Sequence, residues 1–129
     1  MCTDKEKFIR IFEAYKEKLN FYESLEFIGS VYYDKYFKTK KNILFNEQFN
    51  ILINKFIIIL SEIKSWELKE LEKNINTFII NNNIKFPLFG KPTRLLLINE
   101  ENGPSISEIL YILGKKNSIQ RINNYINNN

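Results

Sequence analysis

Apolar side chains recur at steps of three and four residues along much of the chain, which is the spacing of one face of an α-helix. The most regular stripe follows Asn46, a residue type that caps helix starts, and consists of Phe49, Leu52, Ile53, Phe56, Ile57, Leu60 and Ile63. Another stripe follows Thr3 and Glu6, which have capping-box spacing, and consists of Phe8, Phe12, Tyr15, Leu19 and Tyr22. Both patterns predict amphipathic helices.

The second half of the chain continues the helical pattern. We expect Ser65 to cap a helix that Asn81 to Asn83 stop, with one apolar face made of Leu68, Leu71, Ile75, Phe78 and Ile79. A last helix is predicted around Ile119, Ile122 and Ile126. No pair of alternating strands is evident, so the sequence predicts an all-α fold.

The stretch from Gly90 to Ile122 contains most of the conformationally special residues. Pro92 is suited to the first turn of a short helix through "TRLLLI". Ser105 and Glu108 repeat the capping-box spacing, and Gly114 lies where a glycine ends a helix that carries Ile106, Ile109, Leu110 and Leu113. Short helices with defined starts and stops are therefore expected here.

Composition narrows the class of protein. With 129 residues and 44% hydrophobic side chains, the chain can form one compact core or two small packed bundles. The net charge of +4 permits nucleic-acid binding, although on charge alone a solvated lysine-rich surface is the better explanation. A single cysteine, no signal-peptide pattern and no apolar run longer than "FIIIL" predict a cytoplasmic protein without membrane contact.

The residue types that most enzymes need are missing. The chain has no histidine, which excludes histidine-based triads, histidine metal ligands and histidine general bases. No glycine-rich phosphate loop is present, and the adjacent Glu100 and Glu101 are expected to lie in a solvated loop. We expect no catalytic residue, no metal site and no bound cofactor in this chain.

The order of motifs from Trp66 onwards resembles the C-terminal end of bacterial-type glutamyl-tRNA synthetases. The motifs are "KPTRLLL", a turn ending in Gly-Pro, "ISEILYILGK" and "IQRI", preceded by "SWELKELEKNINTFIINNNIKF" and, more loosely, by "KEKLNFYESLEFIGSVYYDKYF". The resemblance implies an anticodon-binding α-helical cage of two small bundles, which we place at residues 1–64 and 65–129. The family's His-Ile-Gly-His and Lys-Met-Ser-Lys-Ser motifs are absent, so ATP and Mg²⁺ are expected only in a catalytic domain that this chain does not contain. Whether the chain counts as an enzyme is left open.

The same resemblance implies which residues bind the anticodon. Arg94 matches the arginine that lies against the first base, and Gly103, Pro104 and Ile106, preceded by Asn102, match the turn that cradles the first and second bases. Asn76 and Lys18 take positions where the family carries arginines near the middle base and, in some members, at the third base. These expectations agree with the general mode of recognition, in which unpaired bases are splayed onto apolar or aromatic surfaces and bonded at their edges. The predicted partners are the anticodon loop of tRNA-Glu and the catalytic domain of the parent synthetase.

Two other functions remain open from the residues alone. The chain could be a helical protein-interaction module that docks on a separate catalytic subunit. It could also be a small DNA-binding protein, because the helices on either side of "ENGPS" imitate helix-turn-helix spacing. The following helix, "ISEILYIL", is apolar and acidic where a recognition helix is polar and basic, so we expect no DNA partner. Arg121 is expected to be structural or phosphate-facing.

Overall fold

A computed structural model describes residues 4–15, Tyr32 and residues 46–127. These residues form six helices: α1 (Asp4–Tyr15), α2 (Glu47–Glu62), α3 (Leu68–Asn81), α4 (Phe86–Ile98), α5 (Ile106–Leu113) and α6 (Lys115–Asn127). No strand occurs in the described ranges, and the predicted all-α class is confirmed. The Thr3 cap, the stripe residues Leu19 and Tyr22, and the predicted site residue Lys18 lie outside the described residues.

Helix α2 begins and packs as its sequence predicts. The side-chain Oδ1 of Asn46 accepts a hydrogen bond from the backbone N–H of Phe49 at 2.7 Å, which satisfies one of the donors left open at a helix start. Ile57 of the predicted stripe is partly buried against the core. The other six residues of the stripe are buried: Phe49, Leu52, Ile53, Phe56, Leu60 and Ile63. The predicted stripe is confirmed.

In helix α1 the buried face differs from the predicted one. Ile11 is fully buried, whereas Phe8, which opens the predicted stripe, is 38% exposed. Phe12 is partly buried and its ring stacks on that of Phe8, with centroids 6.4 Å apart. The helix also packs on α5. An apolar stripe alone does not specify which of two adjacent faces a neighbour covers.

Helix α3 starts later than predicted, and Ser65 is not its cap. The N-cap is Glu67, which makes no side-chain capping bond, and the Ser65 carbonyl accepts from the Glu67 N–H at 2.9 Å. Trp66 explains the difference, because its indole Nε1–H donates to the Leu110 carbonyl at 2.9 Å and so holds this connection against α5. The predicted stop is confirmed: α3 ends at Asn81, followed by Asn83 with a left-handed φ of 49°.

Helix α4 begins at Phe86, earlier than the proline pattern predicted. Pro87 occupies its first turn, where a missing N–H has no intrahelical partner to lose, and Pro92 lies inside the helix. The prediction that Pro92 starts the helix is therefore wrong. Pro92 leaves the Leu88 carbonyl without its usual helical donor, and Leu88 lies at the surface, where water can bond to that carbonyl.

The core is a cluster of aromatic rings centred on Phe89. Its ring centroid lies 6.1 Å from that of Phe49, 5.0 Å from that of Phe56 and 5.2 Å from that of Phe78. Helices α2, α3 and α4 therefore meet at one side chain. The predicted boundary at residue 64 falls between α2 and α3, and the division into two units stays a prediction.

Helix α6 closes the other side of this core. Arg121 is buried, and its Nη1 donates to the Leu97 carbonyl at 2.7 Å. This bond ties α6 to α4 and satisfies part of a buried guanidinium, which would be costly without a partner. The structural role that was one of two expectations for Arg121 is confirmed.

Candidate nucleic-acid interface

The connection between α4 and α5 is a tight turn that is fixed at both ends. Asn99 ends α4 in the left-handed conformation, with φ 61°, and its N–H donates to the Leu95 carbonyl at 2.9 Å. Ser105 caps α5, because its Oγ accepts from the Glu108 N–H at 3.2 Å. The predicted cap is confirmed, and the residues between the two ends are held in a defined loop.

Arg94 ties the end of this turn to α4. Its Nε–H donates to the Pro104 carbonyl at 2.9 Å, so two residues predicted to contact the same base are in direct contact with each other. Gly103 and Pro104 are partly buried and Asn102 is exposed. The turn therefore presents Asn102 outward, while Arg94 fixes the position of Pro104.

Two more of the predicted residues line a single cavity. Asn76 on α3 and Ile106 at the start of α5 border an opening of about 310 Å³, together with Glu72, Ile75, Phe86, Ser105 and Ser107. Ile106 is only 1% exposed, so it forms an apolar wall and not a protruding contact. Lys18 lies outside the described residues.

Phe86 was not singled out by the sequence, yet it joins these two groups of residues. Its side chain lines the cavity and is 38% exposed, and the guanidinium carbon of Arg94 lies 5.7 Å from its ring centroid. Phe86, Gly90 and Arg94 are four residues apart on α4 and therefore share one face. The spacing places these residues on one face only if the helix starts at Phe86. The proline pattern predicted a later start, so the sequence did not indicate this face.

Gly90 has a steric reason to be glycine. A Cβ atom at this position would lie 2.7 Å from Cε1 of Phe86, closer than real Cβ contacts come. The ring of Phe86 therefore lies directly against the Gly90 backbone. A Cβ at residue 90 would therefore require this ring to shift from its position.

The far side of the turn is supported by α1. Arg10 pairs with the Glu108 carboxylate, with Nε–Oε1 at 2.6 Å and Nη2–Oε2 at 2.9 Å, and its guanidinium carbon lies 4.6 Å from the ring centroid of Tyr111. A second cavity, of about 690 Å³, lies between α1 and α5 and is bordered by the same residues and by Pro104. The first turn of α5 is thus held from two directions.

The charges around the smaller cavity are mixed. Lys85 and Lys91, both exposed, adjoin Phe86 and Gly90 in sequence, whereas Glu72 brings a carboxylate to the wall itself. Within the part of the chain that the structure describes, no group of three or more Cys, Asp or Glu side chains could hold a metal ion. In the same residues no helix has the length and apolar character that crossing a membrane requires.

The family model and the similar proteins that match this chain agree with one another. The family model described as "Anticodon binding domain" matches residues 3–126. Glutamate–tRNA ligase 1 of Bartonella tribocorum is 26% identical over 87 residues, which is 67% of this chain and 18% of that protein. Glutamate–tRNA ligase 1 of Helicobacter pylori is 35% identical over 77 residues, which is 60% of this chain and 17% of that protein. The chain spans less than a fifth of the length of these relatives.

A solved structure shows the same fold. The crystal structure of a glutamate tRNA ligase from Elizabethkingia meningosepticum, in complex with its amino acid, superposes with a TM-score of 0.57 at 16% sequence identity. The match covers 98% of this chain and 29% of that one.

Proposed function

Because the chain belongs to the anticodon binding domain family, we propose that it recognises the anticodon loop of tRNA-Glu as part of a glutamyl-tRNA synthetase. The names of the similar proteins support this choice, since they are glutamate–tRNA ligases. The catalytic domain of the parent enzyme is then its second partner. ATP and Mg²⁺ act in that domain, and this chain binds no cofactor. The cytoplasmic location expected from the sequence belongs to the same proposal.

The observation that carries the proposal is the arrangement around the α4–α5 turn. A partly buried arginine fixes a Gly-Pro turn, and beside it an aromatic ring and an amide side chain border a small cavity. Unpaired RNA bases are bound in this way, with one face on an apolar or aromatic surface and the edges bonded to polar groups. Arg94 is proposed to lie against the first anticodon base, with Gly103 and Pro104 supporting the first and second.

Three further positions complete the proposed interface. Asn102 extends from the turn, Asn76 faces the middle base from α3, and Ile106 provides the apolar wall beneath them. Lys18 is proposed for the third base on the resemblance alone. Asparagine at position 76 replaces an arginine of the family, so its contribution is hydrogen bonding without charge.

The surroundings of α5 argue against a DNA partner. Six of its residues are buried: Ile106, Ser107, Ile109, Leu110, Ile112 and Leu113. A recognition helix in a major groove has to expose polar side chains to the base edges. Because most of helix α5 is buried in the core, its side chains are not available to base edges. This favours recognition of a nucleic acid by the turn over recognition by a helix.

Filter binding tests the proposal. The full chain is titrated with a tRNA-Glu transcript and with the same transcript carrying three replaced anticodon nucleotides. Tighter binding of tRNA-Glu is expected, because each stacked base contributes about 1–3 kcal/mol. Equal affinities at physiological salt would overturn the proposal.

A matched pair of lysine variants tests backbone contacts at the same interface. Lys91→Gln removes a charge on α4 close to Arg94, and Lys55→Gln removes one from the exposed surface of α2. If Lys91 contacts a phosphate, only its variant weakens tRNA binding and lowers the salt dependence. An equal effect of the two variants would show only a general charge effect.

A further inference from the structure

The exposed aromatic ring in the smaller cavity has a function that the sequence motifs do not assign. We propose that Phe86 is a stacking platform for one unpaired base of the anticodon loop, and that Gly90 is the residue that keeps its ring available. This inference rests on the proposed function, and its test is designed to separate the two.

The position of the ring is the first argument. Phe86 lies in the first turn of α4 and is 38% exposed, whereas Phe49, Phe56, Phe78 and Phe89 are each at most 1% exposed. An isolated exposed apolar side chain needs no explanation by itself. Phe86 is different because its ring lines a cavity whose walls also carry polar groups.

The second argument is that the ring is held in place from its own helix. On one side it lies against the backbone of Gly90, where a Cβ would come within 2.7 Å of Cε1. Arg94 is the next residue on that face, with its guanidinium carbon 5.7 Å from the ring centroid, and Pro104 fixes Arg94 in turn. A platform that is ordered before binding loses little side-chain entropy when a base is added.

The third argument is the chemistry of the cavity. Its volume of about 310 Å³ is at the lower end for small-molecule sites, which suits one planar group. Ile75 and Ile106 are apolar walls, and Asn76, Ser105 and Ser107 offer donors and acceptors for a base edge. Glu72 is a carboxylate that repels a phosphate and accepts N–H groups, so these walls favour a base over the RNA backbone.

Fluorescence of a base analogue tests this proposal directly. Transcripts of tRNA-Glu that carry 2-aminopurine at one anticodon-loop position each are bound to the full chain. Stacking on Phe86 is expected to quench one position, and Phe86→Leu is expected to abolish that quenching and to weaken binding by about 5- to 150-fold. Phe86→Tyr keeps an aromatic face and is expected to preserve both.

Two more variants complete the test, one at Gly90 and one as a control. Gly90→Ala keeps Phe86 but forces its ring to shift, so it should weaken tRNA binding and reduce the quenching, as Phe86→Leu does. Leu88→Ala removes a side chain that is 56% exposed in the same helical turn and does not line the cavity, so it should change neither. Thermal unfolding of all four variants verifies that they are folded.

The outcomes separate the two proposals. If tRNA-Glu still binds selectively and Phe86→Leu alters neither affinity nor quenching, the stacking platform is wrong and anticodon recognition stands. If affinity falls while the quenching persists, Phe86 only packs against its neighbours and the inference is also wrong. If the wild-type chain does not distinguish the swapped anticodon, the proposed function itself fails.

Discussion

Phe89→Ala is the substitution that should damage the fold most. Phe89 is fully buried, and its ring lies within 6.1 Å, centroid to centroid, of three others, Phe49, Phe56 and Phe78. Those rings belong to α2 and α3, so truncation leaves an empty space where α2, α3 and α4 meet. Neighbouring side chains cannot fill it without leaving the positions that bury them.

The size of the effect follows from this geometry. Truncating a buried phenylalanine to alanine costs about 3–5 kcal/mol. Aromatic pairs contribute about 0.5–1.5 kcal/mol each beyond the area they bury, and Phe89 makes three, so we expect the upper part of that range. Domains of this size have a free energy of unfolding of about 5–15 kcal/mol, and the variant should be marginally stable.

Urea unfolding measures this loss. Helix content is followed by far-ultraviolet circular dichroism, and the surroundings of Trp66 by fluorescence, since the Trp66 indole bonds to the Leu110 carbonyl. Leu88→Ala is the matched control, because Leu88 is the preceding residue and is largely exposed. It should alter stability by less than about 0.5 kcal/mol. A loss for Phe89→Ala no larger than the control's would refute the central role of this ring.

Three further outcomes are expected. Burial raises the pKa of the Tyr125 hydroxyl above its ordinary value of 10.0, so the folded state keeps the proton longer, and stability should be level below pH 10 and fall as the pH rises above it. Urea unfolding midpoints should fall less across that pH range in Tyr125→Phe, because this variant lacks the hydroxyl that titrates. Gly114 has φ 84° and ψ 161°, a region that only glycine occupies easily, so Gly114→Ala should lower the free energy of unfolding by about 1–3 kcal/mol; an unchanged thermal midpoint would contradict this. A double-mutant cycle of Arg10→Ala and Glu108→Ala should give a coupling of about 1 kcal/mol or less, because the Arg10 side chain is 35% exposed, and that coupling should shrink in high salt.

The features that were predicted well depend on neighbouring residues in sequence. Asn46 and Ser105 cap their helices through bonds to the third residue after them, and Gly114 ends α5 through its own backbone conformation. Each arrangement is complete within one helical turn. Such features can be inferred from a few adjacent residues because no distant part of the chain has to cooperate.

The features that were missed depend on distant contacts. The start of α3 is displaced from Ser65 because Trp66 bonds to α5, 44 residues away. The early start of α4 places Phe89 inside the helix, and the rings that Phe89 contacts belong to α2 and α3. Helix α1 contacts α5 through the pair of Arg10 with Glu108, which is 98 residues away. No local pattern contains these contacts.

The candidate interface depends on both kinds of information. The turn and Arg94 were visible in the sequence because proline, glycine and arginine stand out in a chain rich in asparagine, lysine and isoleucine. Phe86 was hidden, since its relation to Gly90 and Arg94 requires the correct helix start. Phe86, the residue proposed to stack on a base, therefore could not be identified from sequence motifs.

Arg94 shows why tests of this interface need more than one substitution. Its Nε–H holds the Pro104 carbonyl and its guanidinium lies over the face of α4 that bears Phe86, so Arg94→Ala disturbs the turn and the platform together. Loss of tRNA binding in that variant would not distinguish a base contact from a displaced loop. Arg94→Lys retains the charge but lacks the planar, multiply donating group, so it separates attraction to the RNA from positioning of the turn. Phe86→Leu leaves the Arg94–Pro104 bond in place, whereas Arg94→Lys removes the Nε–H that makes it. A binding defect in Arg94→Lys alone would therefore point to the position of the turn, and a defect in Phe86→Leu alone would point to the ring.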